Sequence, residues 1–204
     1  VDTVPGTFVD IADIGIPLDI GDEDEAEIFT TIGNELLPAG RVVVANNGGI
    51  GFDPPVDDLS PINEPIPSVG AFGGGQALLP YWDDIGNDVG GVLWMETDDT
   101  LFVQWEDRMV GTARGARATF QLQVFDASEA TNPYFQFFYP DIEDVGGGAG
   151  ATIGYQDGGA GFGDDLWSLD TEGAVTNETV LTVLVPEPTT MLALLGGLTV
   201  CRRI

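Results

Sequence analysis

The chain has 204 residues, enough for one domain with a short tail, and 43% of them are hydrophobic, so it can bury a sizeable core. Its 34 acidic residues against 6 basic ones give a net charge of −28, which excludes nucleic acid and anionic lipid as partners because phosphate contacts need Lys and Arg. Without His or Lys the chain cannot form a Ser-His-Asp, Cys-His or Ser-Lys site, and we predict that it is not an enzyme.

Two further properties of the composition concern the protein's environment. The acidic surface favours solubility and cation binding, and adaptation to salty water is an alternative explanation of the same charge. Cys201 is the only cysteine in the sequence, so neither an intrachain disulfide nor a Cys/His zinc site can form. Stability must then come from the core or from bound ions.

The first part of the chain predicts three strands and a hairpin. Residues 8–14 mix apolar and acidic side chains in the alternating pattern of a half-buried strand. The acidic run at 21–25 predicts a solvated loop, with a loose calcium loop as the alternative. Residues 26–32 and 41–45 are strand-like, and the Asn-Asn-Gly-Gly sequence at 46–49 predicts a hairpin turn because Asn and Gly tolerate positive φ.

A long irregular loop is predicted at residues 53–76. The segment contains five prolines, at positions 54, 55, 61, 65 and 67, and three consecutive glycines at 73–75. We expect this segment to pack over one sheet edge and block it.

The rest of the body predicts short strands separated by Gly, Asp and Asn turns. A period of two is clearest at 101–106 and 118–125, where apolar and polar side chains alternate. Further strands are predicted at 92–95, 134–139, 151–156, 166–169 and 179–185. Because no long stretch has a helical period, residues 1–184 predict an all-β domain, an antiparallel β-sandwich, followed by a short apolar C-terminal tail at 185–204.

Several sequences in the centre resemble a known family. They are Leu79-Pro80-Tyr81-Trp82-Asp83-Asp84, Gly91-Val92-Leu93-Trp94, Val103-Gln104-Trp105, Thr119-Phe120-Gln121-Leu122, the aromatic run at 135–139 and Ala151-Thr152-Ile153-Gly154-Tyr155. Over roughly residues 78–158 the chain resembles the nidogen-type extracellular β domain and secreted bacterial domains of similar pattern. The resemblance implies an extracellular, adhesive or matrix role and lends no catalytic residues.

Acidic clusters at predicted turns make calcium the metal to expect, because it binds several carboxylate and carbonyl oxygens. The first set of candidate ligands is Asp83, Asp84, Asn87 and Asp88. Two further sets are Asp98 with Asp99, and Asp141 with Glu143 and Asp144. The alternative is that all three are ordinary solvated turns. Acidic residues are also plentiful enough for a glycosidase-type pair, but nothing in the sequence distinguishes one pair.

The C-terminal tail contains a Pro-Glu-Pro tripeptide, an apolar run and a basic pair, in that order. The tripeptide is Pro186, Glu187 and Pro188, the run covers 189–200, and the pair is Arg202 and Arg203. A helix of about a dozen residues reaches roughly 18 Å, short of the roughly 30 Å of a bilayer core. A transient membrane anchor with its arginines on the cytoplasmic side therefore fits better than a permanent span.

This order of parts resembles the PEP-CTERM sorting signal of bacterial exosortase substrates. The resemblance implies export to the bacterial surface, an exosortase-type processing enzyme as a partner, and Val1 as a mature or trimmed start. The alternative is a C-terminal core strand or helix that follows a chance Pro-Glu-Pro sequence.

These expectations combine into a secreted structural protein of the bacterial cell surface or extracellular matrix. A tail that stays on the protein would be buried against a neighbouring subunit, and strand or tail exchange would then build a filament or layer. The alternative function is a calcium-assisted adhesin or carbohydrate-binding module that stacks extracellular polysaccharide on Trp82, Trp94, Trp105 or Trp167. For the tryptophans themselves, the competing expectation is that all four belong to the core.

Overall fold

The computed structural model describes residues 7–86, 89–110, 116–126, 133–142, 145–161 and 163–184. Within these ranges the chain forms thirteen strands and one 3-10 turn at Phe72–Gly74. The strands are β1 Ile16–Leu18, β2 Glu25–Thr30, β3 Gly40–Ala45, β4 Gly49–Phe52, β5 Ala77–Trp82, β6 Ile85–Gly86, β7 Gly91–Glu96, β8 Thr100–Val110, β9 Arg117–Phe125, β10 Pro133–Asp141, β11 Thr152–Gln156, β12 Asp165–Leu169 and β13 Thr179–Leu184.

Two antiparallel sheets pack face to face, which confirms the predicted β-sandwich. The seven-stranded sheet has the order β1-β7-β8-β9-β10-β13, and the short β6 pairs with one end of β8. The six-stranded sheet has the order β12-β11-β5-β4-β3-β2. Every neighbouring pair in both sheets is antiparallel.

The main core lies between the two sheets and uses the faces that the sequence predicts. Leu101, Val103 and Trp105 of β8 are fully buried there, as are the apolar residues of β9. Trp105 stacks on Phe120 with ring centroids 5.0 Å apart, and its indole N–H donates a 3.0 Å hydrogen bond to the carbonyl of Ala45 in the opposite sheet. The indole thus joins the two sheets and satisfies its one polar atom.

The outer face of the seven-stranded sheet is buried, although its alternating pattern predicts an exposed polar face. Gln104, Gln121 and Gln123 have no exposed surface and form a ladder across β8 and β9. The amide of Gln121 donates to Gln104 at 2.7 Å, and that of Gln123 donates to Gln121 at 2.8 Å. These side chains point away from the core and still avoid water because another segment covers them.

The covering segment is residues 7–11, which makes the predicted strand at 8–14 wrong. The segment is not part of either sheet, and the chain turns at 12–15 before β1 begins. Its backbone carbonyls accept hydrogen bonds from glutamine side chains, at 2.7 Å for Val9 and 3.1 Å for Thr7. A strand would need a backbone neighbour, and here side-chain amides take that place.

The proline-rich segment at 53–76 also covers an outer face, so the prediction that it blocks a sheet edge is wrong. It packs on the six-stranded sheet and forms a second, smaller core with Leu59, Phe72, Leu79 and Trp82 among its members. The indole N–H of Trp82 donates a 2.6 Å hydrogen bond to the carbonyl of Ser60. The segment follows the outer face because apolar residues of β3 and β5 face outward there and need cover.

The hairpin predicted at 46–49 is present between β3 and β4. Gly48 has φ of 80°, in the region that favours glycine. A Cβ at this position would lie 1.9 Å from the carbonyl oxygen of Tyr81, so the turn also needs glycine for its close approach to β5.

Candidate functional site

The first predicted calcium residues lie at the end of β5. Asp83 is half-buried and Asp84 is exposed, and the backbone N–H of Asp84 donates a 2.8 Å hydrogen bond to the Asp83 carboxylate. Burial raises the pKa of Asp83 to about 7, and the negative charges of Asp84 and Asp170 act in the same direction. Asn87 and Asp88 lie outside the described residues.

The other predicted acidic sets do not form a metal centre in the part of the chain that the structure describes. Asp99 accepts hydrogen bonds from the hydroxyls of Thr97 at 2.9 Å and Thr100 at 3.0 Å, so its carboxylate is bonded to side chains of its own turn. Glu143 and Asp144 lie outside the described residues. No group of three or more His, Cys, Asp or Glu residues within the described ranges could hold a metal ion. Calcium binding therefore stays a prediction.

An acidic pocket that the sequence did not predict lies where the segment 7–11 crosses the seven-stranded sheet. It has a volume of about 240 Å³. It is lined by Phe8, Asp10, Glu106, Thr119, Pro140 and Asp141. Phe8 and Asp10 come from the covering segment and the rest from strands, so no local pattern could have brought these residues together.

Two of the three carboxylates that line this pocket, Asp10 and Glu106, share one hydrogen-bond donor but have different environments. The amide of Gln104 donates to Asp10 at 3.1 Å and to Glu106 at 2.7 Å. Hydrogen bonds from the Ala12 N–H and from Gln104 lower the pKa of Asp10, whereas burial raises the pKa of Glu106. Such a divergence is typical of acid–base pairs, but a pocket of about 240 Å³ is smaller than the roughly 300–1,000 Å³ of small-molecule sites.

The structure divides the four tryptophans into two groups. Trp82 and Trp105 have no exposed surface and cannot stack on a sugar. Trp94 and Trp167 are half-buried, and Trp167 packs edge-on against Phe137 with ring centroids 5.2 Å apart. The expectation that every tryptophan belongs to the core is therefore correct for two of them, and the half-buried pair also packs against the main core.

Each edge strand of the sandwich carries one large exposed apolar side chain. We call β1 and β2 the first edge and β12 and β13 the second edge. Of the eight large hydrophobic side chains that are exposed among the described residues, Ile16 and Phe29 lie on the first edge and Leu166 and Leu184 on the second. Ile14 lies just before β1, and Val56, Ile62 and Val69 belong to the proline-rich segment.

Contacts between the sheets show that these edges lie on opposite sides of the sandwich. Glu96 at the end of β7 accepts hydrogen bonds from Thr30 of β2 and from Thr31, so β2 lies beside the β1–β7 side of the other sheet. Trp167 of β12 packs against Phe137 of β10, so β12 lies beside the β10–β13 side. Each side of the molecule therefore presents one edge strand from each sheet.

The residues of the predicted sorting motif, Pro186, Glu187, Pro188, Arg202 and Arg203, lie outside the described residues. The last described strand, β13, ends at Leu184 on the second edge. Within the described residues, no helix has the length and hydrophobicity needed to cross a membrane.

Comparison with known proteins gives no match. No family model matches the chain, and neither a curated protein nor a solved structure is significantly similar to it.

Proposed function

We propose that this chain is a non-enzymatic structural protein of the bacterial cell surface or extracellular matrix that associates with further copies of itself. The observation that carries the proposal is the exposure of large apolar side chains on edge strands of both sheets. Edge strands of β proteins that stay monomeric are usually protected by charge, proline or a covering segment, because unpaired backbone groups are a template for another chain.

The covered outer faces support the same function. The segment 7–11 lies on one outer face and the proline-rich segment on the other, so stacking of sandwiches face to face would have to displace them. Within the described part of the chain, the edges combine exposed apolar side chains with unpaired strand backbone, whereas the exposed Val56, Ile62 and Val69 lie on the irregular proline-rich segment. A net charge of −28 would keep single copies apart at low ionic strength, because exposed like charges repel over the Debye length.

Self-association is tested by sedimentation of the full chain over a range of concentrations, at low and at high salt. We expect larger species to form as concentration and salt increase. A chain that stays monomeric at high concentration under both conditions would contradict the proposal.

We further propose that the tail at 185–204 is a sorting signal that a processing enzyme of the exosortase type reads, with only transient membrane contact. The support is the order of Pro-Glu-Pro, apolar run and arginine pair. Intact mass of the protein from a producing cell tests this proposal. A mass ending near Pro188 would support it, and a mass that includes Ile204 would make the tail a permanent part of the assembly.

The second candidate function is a calcium-assisted adhesin or carbohydrate-binding module. The partial exposure of Trp94 and Trp167 is the observation that favours it. Glycan titration followed by tryptophan fluorescence tests this function, with Trp94→Phe as the variant. Unchanged fluorescence would leave the self-associating structural protein as the better explanation.

A further inference from the structure

We propose that copies of this chain join head to tail, with β2 of one copy pairing antiparallel with β12 of the next, so that the six-stranded sheet continues from molecule to molecule. This inference rests on the proposed self-association and specifies the two strands that carry it.

The first argument is the direction of the strands. All neighbours in the order β12-β11-β5-β4-β3-β2 are antiparallel, and the sheet has six strands in total. With an even number of strands, β2 and β12 run in opposite directions. A second copy placed beside the first in the same orientation therefore brings its β12 antiparallel to β2, and the sheet continues without a change of pattern.

The second argument is that both strands have a free side of adequate length. Within the described ranges, β2 pairs only with β3 and β12 only with β11. The strands have six and five residues. The first edge of the other sheet is less suitable, because β1 has three residues and one of them, Pro17, has no N–H to donate. We therefore assign the pairing to the six-stranded sheet.

The third argument is the match of side chains across the new pair. Phe29 is 68% exposed and Leu166 is 41% exposed. Phe29 follows Ile28 on β2, and Leu166 precedes Trp167 on β12; Ile28 and Trp167 both face the core. Because successive side chains of a strand point to opposite faces, Phe29 and Leu166 both lie on the outer face of the sheet. The register that places Phe29 opposite Leu166 also places Ile28 opposite Trp167, which extends the outer apolar surface and the core together.

Charge is compatible with this register. Glu27 comes to lie opposite Ser168, and Thr30 comes to lie opposite Asp165. One pair of carboxylates is directly opposite, Glu25 at the start of β2 and Asp170 one residue beyond β12, and salt screens this repulsion at the end of the pairing. The interface joins two different surfaces of the chain, so each added copy uses one edge strand and leaves its other edge strand free, and growth has no fixed end point.

The experiment compares the full chain with Phe29→Lys, Leu166→Lys and the control Val69→Lys, by sedimentation velocity at high salt and rising concentration. Val69 is 80% exposed on the proline-rich segment, so its substitution makes the same change of charge away from both strands. We expect the wild type and V69K to form long species and each edge variant alone to stay monomeric. An equimolar mixture of F29K and L166K should form one-to-one dimers and stop there, because only one productive pair of edges remains.

Other outcomes separate the possible failures. If F29K and L166K both assemble as the wild type does, the edge pairing is wrong while the proposed self-association stands. If L166K dimerises and F29K does not, β2 pairs with itself and the head-to-tail arrangement is wrong. A wild type that never assembles would overturn the proposed function itself. Circular dichroism confirms that each variant is folded, and Phe29→Thr provides a milder second variant that keeps strand propensity.

Discussion

The hydroxyl of Thr30 donates a 2.6 Å hydrogen bond to the carboxylate of Glu96, and this contact ties the end of β2 to the end of β7 in the opposite sheet. The same carboxylate accepts the backbone N–H of Thr31 at 3.2 Å and its hydroxyl at 2.5 Å. One acidic side chain thus joins the two sheets at the end of β2. Glu96 is thus one of the 34 acidic residues whose carboxylate stabilises the fold.

Replacing this carboxylate should weaken the sandwich. We expect Glu96→Ala to lower the free energy of unfolding by about 1–3 kcal/mol, because Thr30 is buried and its hydroxyl would lose its acceptor. Urea unfolding followed by tryptophan fluorescence measures the change. Glu172→Ala, at an exposed position, is the control, and equal midpoints for both variants would contradict this role of Glu96.

The indole of Trp82 should hold the proline-rich segment in place. Trp82→Phe keeps an aromatic ring but leaves the carbonyl of Ser60 without its 2.6 Å partner, at a cost of about 1–3 kcal/mol. Hydrogen exchange should rise within 53–76 and stay unchanged in β8 and β9. Trp94→Phe, on a half-buried ring, should leave exchange in this segment as it is in the wild type.

The glutamine ladder should hold the covering segment 7–11. Gln121→Ala removes the donor to Val9 and one partner from each of Gln104 and Gln123. We expect a loss of about 2–4 kcal/mol, because buried polar groups lose partners and a cavity remains. Hydrogen exchange at residues 7–11 reports detachment of the segment, and protection equal to that of the wild type would show that the ladder does not hold it.

The raised pKa of Asp83 predicts that stability falls as pH rises. Its ordinary value is 3.8 and its value in the fold is about 7, so between these limits the folded state holds a proton that the unfolded state has released. The contribution of Asp83 to the free energy of unfolding is therefore largest below about pH 4 and is lost by about pH 7. We expect a loss on the order of 1–2 kcal/mol, after allowance for solvent screening of a partly exposed group.

Thermal unfolding of Asp83→Asn between pH 4 and 8 measures this contribution. The variant should lack the decline assigned to Asp83 and should be more stable than the wild type at pH 8. Asp98→Asn removes a carboxylate from an exposed position and serves as the control. Identical pH profiles for the wild type and Asp83→Asn would contradict the assignment.

The predicted calcium site can be tested on the same residues. If Asp83 and Asp84 supply ligands, calorimetry should show heat at millimolar calcium, and the double variant D83N/D84N should abolish it. Binding should also lower the pKa of Asp83, because a cation favours the charged form. Absence of heat with the wild type would remove these residues as a calcium site.

The local sequence pattern was sufficient to predict which side chains of the strands face the core. The alternation at 101–106 correctly directs Leu101, Val103 and Trp105 to the core, since a period of two depends only on neighbouring residues. The hairpin at 46–49 was predictable for the same reason, because Asn and Gly determine a turn locally.

Long-range packing explains what the sequence did not predict. Gln104 and Gln121 are buried because residues 7–11, distant in sequence, lie over them. The proline-rich segment has no periodicity that indicates which surface it covers. Likewise, Asp83 and Asp170 influence each other electrostatically only because β5, β11 and β12 are neighbours in one sheet.

The position of the proline-rich segment in the chain has a consequence during synthesis. It lies between β4 and β5, next in sequence to the strands β3 to β5 whose outer face it covers, so it leaves the ribosome together with them. The inner faces of the same strands must wait for β8, β9 and β10, which follow later. A partly synthesised chain can therefore shield one apolar face of this sheet at once, which reduces the hydrophobic surface available to other nascent chains.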